Sequence, residues 1–213
     1  MVLHKMFRST LTVSLMTLLS RITGLIRDIA FAQILGSGLV ADAFFVAFRI
    51  PNFFRRIFAE GAFTAGFVPV YAEYESRYPA PQVRLFLDLM LGRLALILLL
   101  FTLLGVLGAP WLVAMIAPGF VEQADKYAAT VSALRFTFPY LFFVSLVAMA
   151  GGILNARDRF AVPAVTPVLL NLCLIGAVIW AVPFTTNKAL TLGIGVFVAG
   201  VVQLGFQLPF LAF

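Results

Sequence analysis

Residues 9–35, STLTVSLMTLLSRITGLIRDIAFAQIL, form one apolar segment long enough to cross a bilayer. Yet Ser20, Arg21, Gly24, Arg27 and Asp28 lie in its interior. At about 100° per residue, these positions fall within one arc of roughly 120° on a helix. Leu15, Leu18, Leu19, Ile22, Leu25, Ile26 and Ile29 hold the opposite arc without a polar group. A charge placed in hydrocarbon costs about 3 kcal/mol or more. Two arginines and an aspartate on one flank therefore require a hydrated cavity or partners on that side. This is the geometry of a polar path through a membrane.

Other readings of the segment fare worse. If Arg27 and Asp28 marked a membrane–water interface while Arg21 snorkelled, the apolar run 29–35 would be left in water. A basic start (Lys5, Arg8) and the small-x-small string Ala30-Phe31-Ala32 have the form of a cleaved signal peptide. Arg21, Arg27 and Asp28 interrupt its apolar region, however, and the apolar pattern resumes beyond Ala32.

The remainder of the chain agrees with a membrane setting. Hydrophobic residues make up 62% of its 213 residues, and mean hydropathy is +1.06. Charged residues are 11%, against about 25% in soluble domains. At roughly 20 residues per crossing, the length suits an all-α integral membrane protein with a six-transmembrane-helix bundle. The net charge of +6 is the mark of basic cytoplasmic loops rather than of nucleic-acid binding. Arginine outnumbers lysine 12 to 3. A guanidinium forks onto phosphate, so an anionic lipid-linked ligand fits this bias.

Several chemistries are absent from the sequence. The single cysteine, Cys173, lies in an apolar span, and the single histidine, His4, lies in the N-terminal tail. No Ser/His/Asp set, metal-ligand set or P-loop is present. The chain is expected to be a transporter rather than an enzyme, to need no cofactor, and to draw any work from gradients or a downstream sink.

Six crossings are predicted, at about 9–35, 40–74, 85–117, 127–154, 160–182 and 189–213. Gly36-Ser37-Gly38 ends the first. Pro51 and Gly61 kink the overlong second, Pro110 breaks the third, Pro139 lies within the fourth, and Pro163 and Pro167 open the fifth. The sixth is free of charge. Lys5, Arg8, Arg77, Arg84, Arg157 and Arg159 fall on one side, against Lys126 and Lys188 on the other. The N-terminus is therefore expected in the cytoplasm, and six crossings return the C-terminus there.

The second span carries Asp42, Arg49, Asn52, Arg55, Arg56 and Glu60. Asp42 and Arg49 share a face, and Arg56 and Glu60 are i,i+4 neighbours. Pro51 breaks the helical phase, so the pattern alone does not choose among the three arginines. They form either an internal salt-bridge network or a cationic wall. Arg21, Arg27, Arg49, Arg55 and Arg56 outnumber Asp28, Asp42 and Glu60, which favours an anionic ligand. Arg135 is expected to snorkel outward, Arg157-Asp158-Arg159 to anchor a cytoplasmic turn or touch lipid headgroups, and Asn171 to bond between helices.

The strings SRITGLIRDIAFAQILGSG (20–38), ADAFFVAFRIPNFFRRIFAEGAF (41–63) and FVPVYAEY (67–74) resemble the MviN/MurJ lipid II flippases of bacteria. These belong to the multidrug/oligosaccharidyl-lipid/polysaccharide exporter superfamily. APGF (117–120), TFPY (137–140), GGILNARDRFAVPA (151–164) and QLPFL (207–211) add weaker support. The resemblance implies translocation of lipid II, an undecaprenyl-pyrophosphate-linked disaccharide pentapeptide, across the bacterial cytoplasmic (inner) membrane. It implies a cationic central cavity opening alternately to each side. The family's functional serine and arginines fall on Ser20, Arg21, Arg27 and Arg55, a required aspartate falls on Asp42, and Glu60 is the acid of the EGAF string. Asp28, Asp42 and Glu60 are expected to couple or orient. The resemblance reaches only the first lobe of a two-lobe exporter fold. The chain is then either a fragment or half of a pair, and the missing second lobe and membrane lipids are its expected partners.

Two alternatives stay open on the residues themselves. One is an exporter of another polyprenyl-linked glycan. The other is a non-transporting structural membrane protein, whose arginines would all pair with acids and leave no cavity. A cationic-drug pump would need acids rather than arginines along its path.

Overall fold

The computed structural model describes residues 2–55 and 62–211, all of whose regular elements are helical. In chain order these are α1 (Val2–Leu35), α2 (Leu39–Arg55), α3 (Ala62–Arg77), α4 (Ala80–Leu107), α5 (Ala109–Ile116), α6 (Ala124–Thr137), α7 (Tyr140–Ala156), α8 (Ala161–Gly176) and α9 (Lys188–Gln207). Among the described residues, four stretches are long and apolar enough to cross a membrane: Ala80–Leu107, Ala124–Ala156, Ala161–Phe184 and Lys188–Leu211. They make the chain an all-α, multi-pass membrane protein. α1 carries its charged stripe, and α2 and α3 are 17 and 16 residues long, so the first two expected crossings lack the plain apolar signature.

The breaks follow the chemistry of the backbone. α1 ends at Gly36, whose φ of +64° is the left-handed turn that glycine adopts at little cost. Gly108 separates α4 from α5, and Pro110 sits in the first turn of α5, where its missing N–H costs nothing. Pro139 separates α6 from α7 within one run of 33 residues. Thr137 Oγ1 donates to the Ala47 carbonyl (3.2 Å) and pins that junction to α2. α8 widens into a π turn over Ala177–Ala181 before the chain reverses. Pro51 lies inside α2, while Arg56, Glu60 and Gly61 lie outside the described residues.

The main core gathers Phe44 and Ala47 of α2, Leu134 of α6, Leu141 of α7, and Leu192 and Val196 of α9. A second cluster joins Phe67 and Tyr71 of α3, Leu87 of α4, and Met149 and Ile153 of α7. α9 comes close to α6 because a Cβ on Gly193 would lie 2.8 Å from the Ala133 carbonyl oxygen. α1 stands at the edge of the bundle, rests chiefly on α8 and scarcely touches α2. Its seven-residue apolar arc, Leu15 to Ile29, is exposed as the helical phase requires, with Leu25 at 60%. Among these faces only the polar one turns inward.

Tight packing of α4 on the α6–α7 junction gives a first expected result. A Cβ at Gly105 would fall inside the ring of Phe138, which is buried. Gly105→Ala is expected to cost about 1–3 kcal/mol through overpacking. In detergent it should melt several degrees below the parent. Gly92→Ala, on the same helix but with no neighbour within 4 Å, should melt like the parent. Equal melting of both variants would contradict the packing described here.

Candidate functional site

The inward face of α1 opens onto a cavity of about 740 Å³. Ser20, Arg21, Gly24 and Arg27 line it from α1, and Phe48, Asn52 and Arg55 line it from α2. The remaining wall comes from α7, α8 and α9. Among the described residues the lining holds three arginines and no aspartate or glutamate. A stripe that served only to hold helices together would be sealed against them. This one faces space large enough for a polar ligand group.

Arg27 is held by two neighbouring side chains. Its Nε and Nη2 donate to Asp28 Oδ1 (3.0 and 2.7 Å), and its Nη1 donates to Asn171 Oδ1 (2.9 Å). The guanidinium carbon lies 6.0 Å from the centre of the Phe31 ring. Asn171, buried on α8, uses its Nδ2 to donate to the Ser20 carbonyl (3.0 Å) and to Thr23 Oγ1 (3.2 Å). One amide thus ties α8 to α1 at three points and fixes the arginine fork. Its Nδ2 would lie 3.5 Å from a Cβ on Gly24, an ordinary contact that leaves room for alanine. The interhelical bond expected of Asn171 is therefore also an arginine support. Arg55 Nε donates to Asn52 Oδ1 one turn earlier (3.0 Å).

Asp28 and Asp42 lie outside the lining. Asp28 pairs with Arg27, its sequence neighbour, rather than with Arg21. Asp42 accepts from Lys126 Nζ at 2.6 Å. That ammonium lies 4.3 Å from the centre of the Phe120 ring. The reason is distance: thirteen residues separate Asp42 from Arg55, about 20 Å along a helix. Asp42 is thus placed to meet a lysine of α6 rather than a cavity arginine. Arg49 is exposed and takes no part in the lining. Glu60 lies outside the described residues.

The turn 157–159 has a structural use. Arg157 Nε donates to Tyr71 Oη (3.1 Å) and Glu75 Oε1 (3.3 Å), joining α7 to α3. Arg159 Nη1 donates to the Phe210 carbonyl (2.8 Å), beyond α9. Asp158 occupies the left-handed region with φ of 60°.

Sequence reading passed over the neutral side of the cavity. Tyr140 and Asn155 of α7, Thr166 of α8, and Gln203 and Gln207 of α9 all line it. The i,i+4 spacing of Gln203 and Gln207 in a span free of charge was the available signal, since it stacks two amides on one face.

Comparison with known proteins bears on the family of the chain. The family model described as "Lipid II flippase MurJ" matches residues 31–213. The chain is 42% identical to the probable lipid II flippase MurJ of Vibrio cholerae, over 97% of this chain and 41% of that protein. It is 42% identical to that of Buchnera aphidicola subsp. Baizongia pistaciae, over 96% and 40%. It is 41% identical to the lipid II flippase MurJ of Burkholderia cenocepacia, again over 96% and 40%. Among solved structures it matches "Lipid II flippase MurJ, inward closed conformation" with a TM-score of 0.76 and 26% identity, over 92% of this chain and 41% of the other. The chain therefore spans about two fifths of the length of each of these relatives.

Proposed function

The chain belongs to the lipid II flippase MurJ family, and from that premise we propose that it forms the first lobe of a transporter moving lipid II from the inner to the outer leaflet of the bacterial cytoplasmic membrane. The observation that carries this reading is the cavity lined by Arg21, Arg27 and Arg55 without an acid among the described residues. These arginines would hold the pyrophosphate through charge-assisted hydrogen bonds, each worth about 1.5–3 kcal/mol. Ser20 adds a hydroxyl beside them. Asp28 and Asn171 orient the Arg27 fork, so it presents its remaining N–H groups without reorganising. The polyprenyl tail stays in lipid. Asp42, paired with Lys126 far along α2 from Arg55, ties α2 to α6 within this lobe.

On this reading the chain makes six crossings, both termini are cytoplasmic, and a second lobe completes the path. The basic residues at 77, 84, 157 and 159 support that orientation. The test is binding of undecaprenyl pyrophosphate to the purified chain in nanodiscs. The expected result is specific binding that weakens as salt rises, with none to undecaprenol. Equal binding of the two lipids would defeat the reading. In vesicles the chain by itself is expected to flip nothing.

A further inference from the structure

We propose that the cavity wall built by α7, α8 and α9 is a binding subsite for neutral hydrogen-bond donors, namely hydroxyl or amide N–H groups of a carbohydrate or peptide attached to the anionic group. The inference rests on the flippase reading and assigns residues to a part of the ligand that the arginines do not address.

Tyr140, Gln203 and Gln207 are 1%, 2% and 1% exposed, and all three line the cavity. The Oε1 atoms of both glutamines have no hydrogen-bond partner among the described residues, and the Tyr140 hydroxyl lies beside the Gln203 amide without a bond of good geometry. Buried polar atoms are nearly always paired, so three in one wall require an account. The neighbours fix which way the amides point. Gln203 Nε2 donates to the Thr166 backbone carbonyl (2.8 Å), which can only accept. Gln207 Nε2 donates to Thr166 Oγ1 (2.9 Å), whose own hydrogen is given to the Val162 carbonyl (3.4 Å). Both amide oxygens are therefore left as acceptors. A phosphate oxygen is itself an acceptor and is repelled there. A hydroxyl or an amide N–H is the complementary group, and the Tyr140 hydroxyl can both give and take a hydrogen bond. The cavity is thus divided by chemistry. Arg21, Arg27 and Arg55 suit phosphate, and the glutamine–tyrosine wall suits the uncharged headgroup beyond it.

The test compares two probes on the purified chain in nanodiscs: undecaprenyl pyrophosphate, and the same lipid carrying a disaccharide. The parent is expected to bind the glycosylated probe about tenfold more tightly, the effect of one or two net neutral hydrogen bonds. The double variant Gln203→Met, Gln207→Met should lose that preference and keep its affinity for the bare probe within about twofold. Tyr140→Phe removes only a hydroxyl and should cut the preference several-fold while melting like the parent. Equal binding of both probes by the parent overturns the subsite and leaves the flippase reading standing. So does a full preference retained in Tyr140→Phe and the double variant. Failure of the parent to bind the bare probe overturns the flippase reading itself, and the subsite with it.

Discussion

Arg27→Glu is expected to abolish binding of undecaprenyl pyrophosphate by this lobe. In a full-length flippase carrying the lobe, it is expected to abolish growth of cells depleted of their own flippase. The substituted carboxylate stands beside Asp28, which loses the guanidinium it accepts from at 2.7 Å. Asn171 Oδ1 loses its donor as well and is left facing an acceptor. The anion site thereby exchanges a cation for an anion, a change of two charge units at the cavity wall. Loss of one charge-assisted bond costs tenfold or more, and the added repulsion takes the expected loss past about a hundredfold. Arg27→Lys should retain part of the function, because an ammonium keeps the charge but cannot fork onto Asp28 and Asn171 together. Normal growth of the Glu variant at normal expression would remove Arg27 from the mechanism.

The second large effect is expected at Asn171, which a hydropathy profile passes over. Asn171→Leu deletes three hydrogen bonds between α8 and α1, one of them to a guanidinium. At about 0.6–1.7 kcal/mol for each bond in a membrane bundle, the loss is about 2–5 kcal/mol. Because α1 rests chiefly on α8, these bonds lie in its main interface. Thermal melting in detergent should fall several degrees, and affinity for the pyrophosphate lipid should fall with it. Leu172→Ala alters the next residue, 51% exposed, and should leave both readouts near the parent's. A parent-like melt for Asn171→Leu would mean that α1 is held by something other than this amide.

The α1 stripe was legible in sequence because hydrocarbon penalises charge so heavily that three ionised groups on one arc admit few explanations. For the same reason the opposite arc, Leu15 to Ile29, was readable as exposed, and it is. Gly36, Gly108 with Pro110, and Pro139 mark real breaks because missing donors and left-handed turns are local properties. Arg55 could not be separated from Arg49 by pattern, since Pro51 lies between them and resets the phase. The family resemblance chose Arg55, which lines the cavity, whereas Arg49 is exposed. The partner of Asp42 lies 84 residues away and could not be read from spacing. Gln203 and Gln207 were overlooked for a different reason. An amide disturbs an apolar profile only slightly, and its importance appears only when its acceptor oxygen is found buried without a donor.

The amide that clasps Arg27 is encoded 144 residues after it. At about 5–20 residues per second of synthesis, the first helix leaves the ribosome roughly 7–30 s before its counterpart exists. During that interval its guanidinium groups cannot rest in acyl chains, so the nascent helix must wait at the insertion machinery or near the lipid headgroups. Biogenesis of this lobe is therefore expected to be paced by the emergence of α8, and truncations that end before Asn171 should leave the first helix poorly inserted.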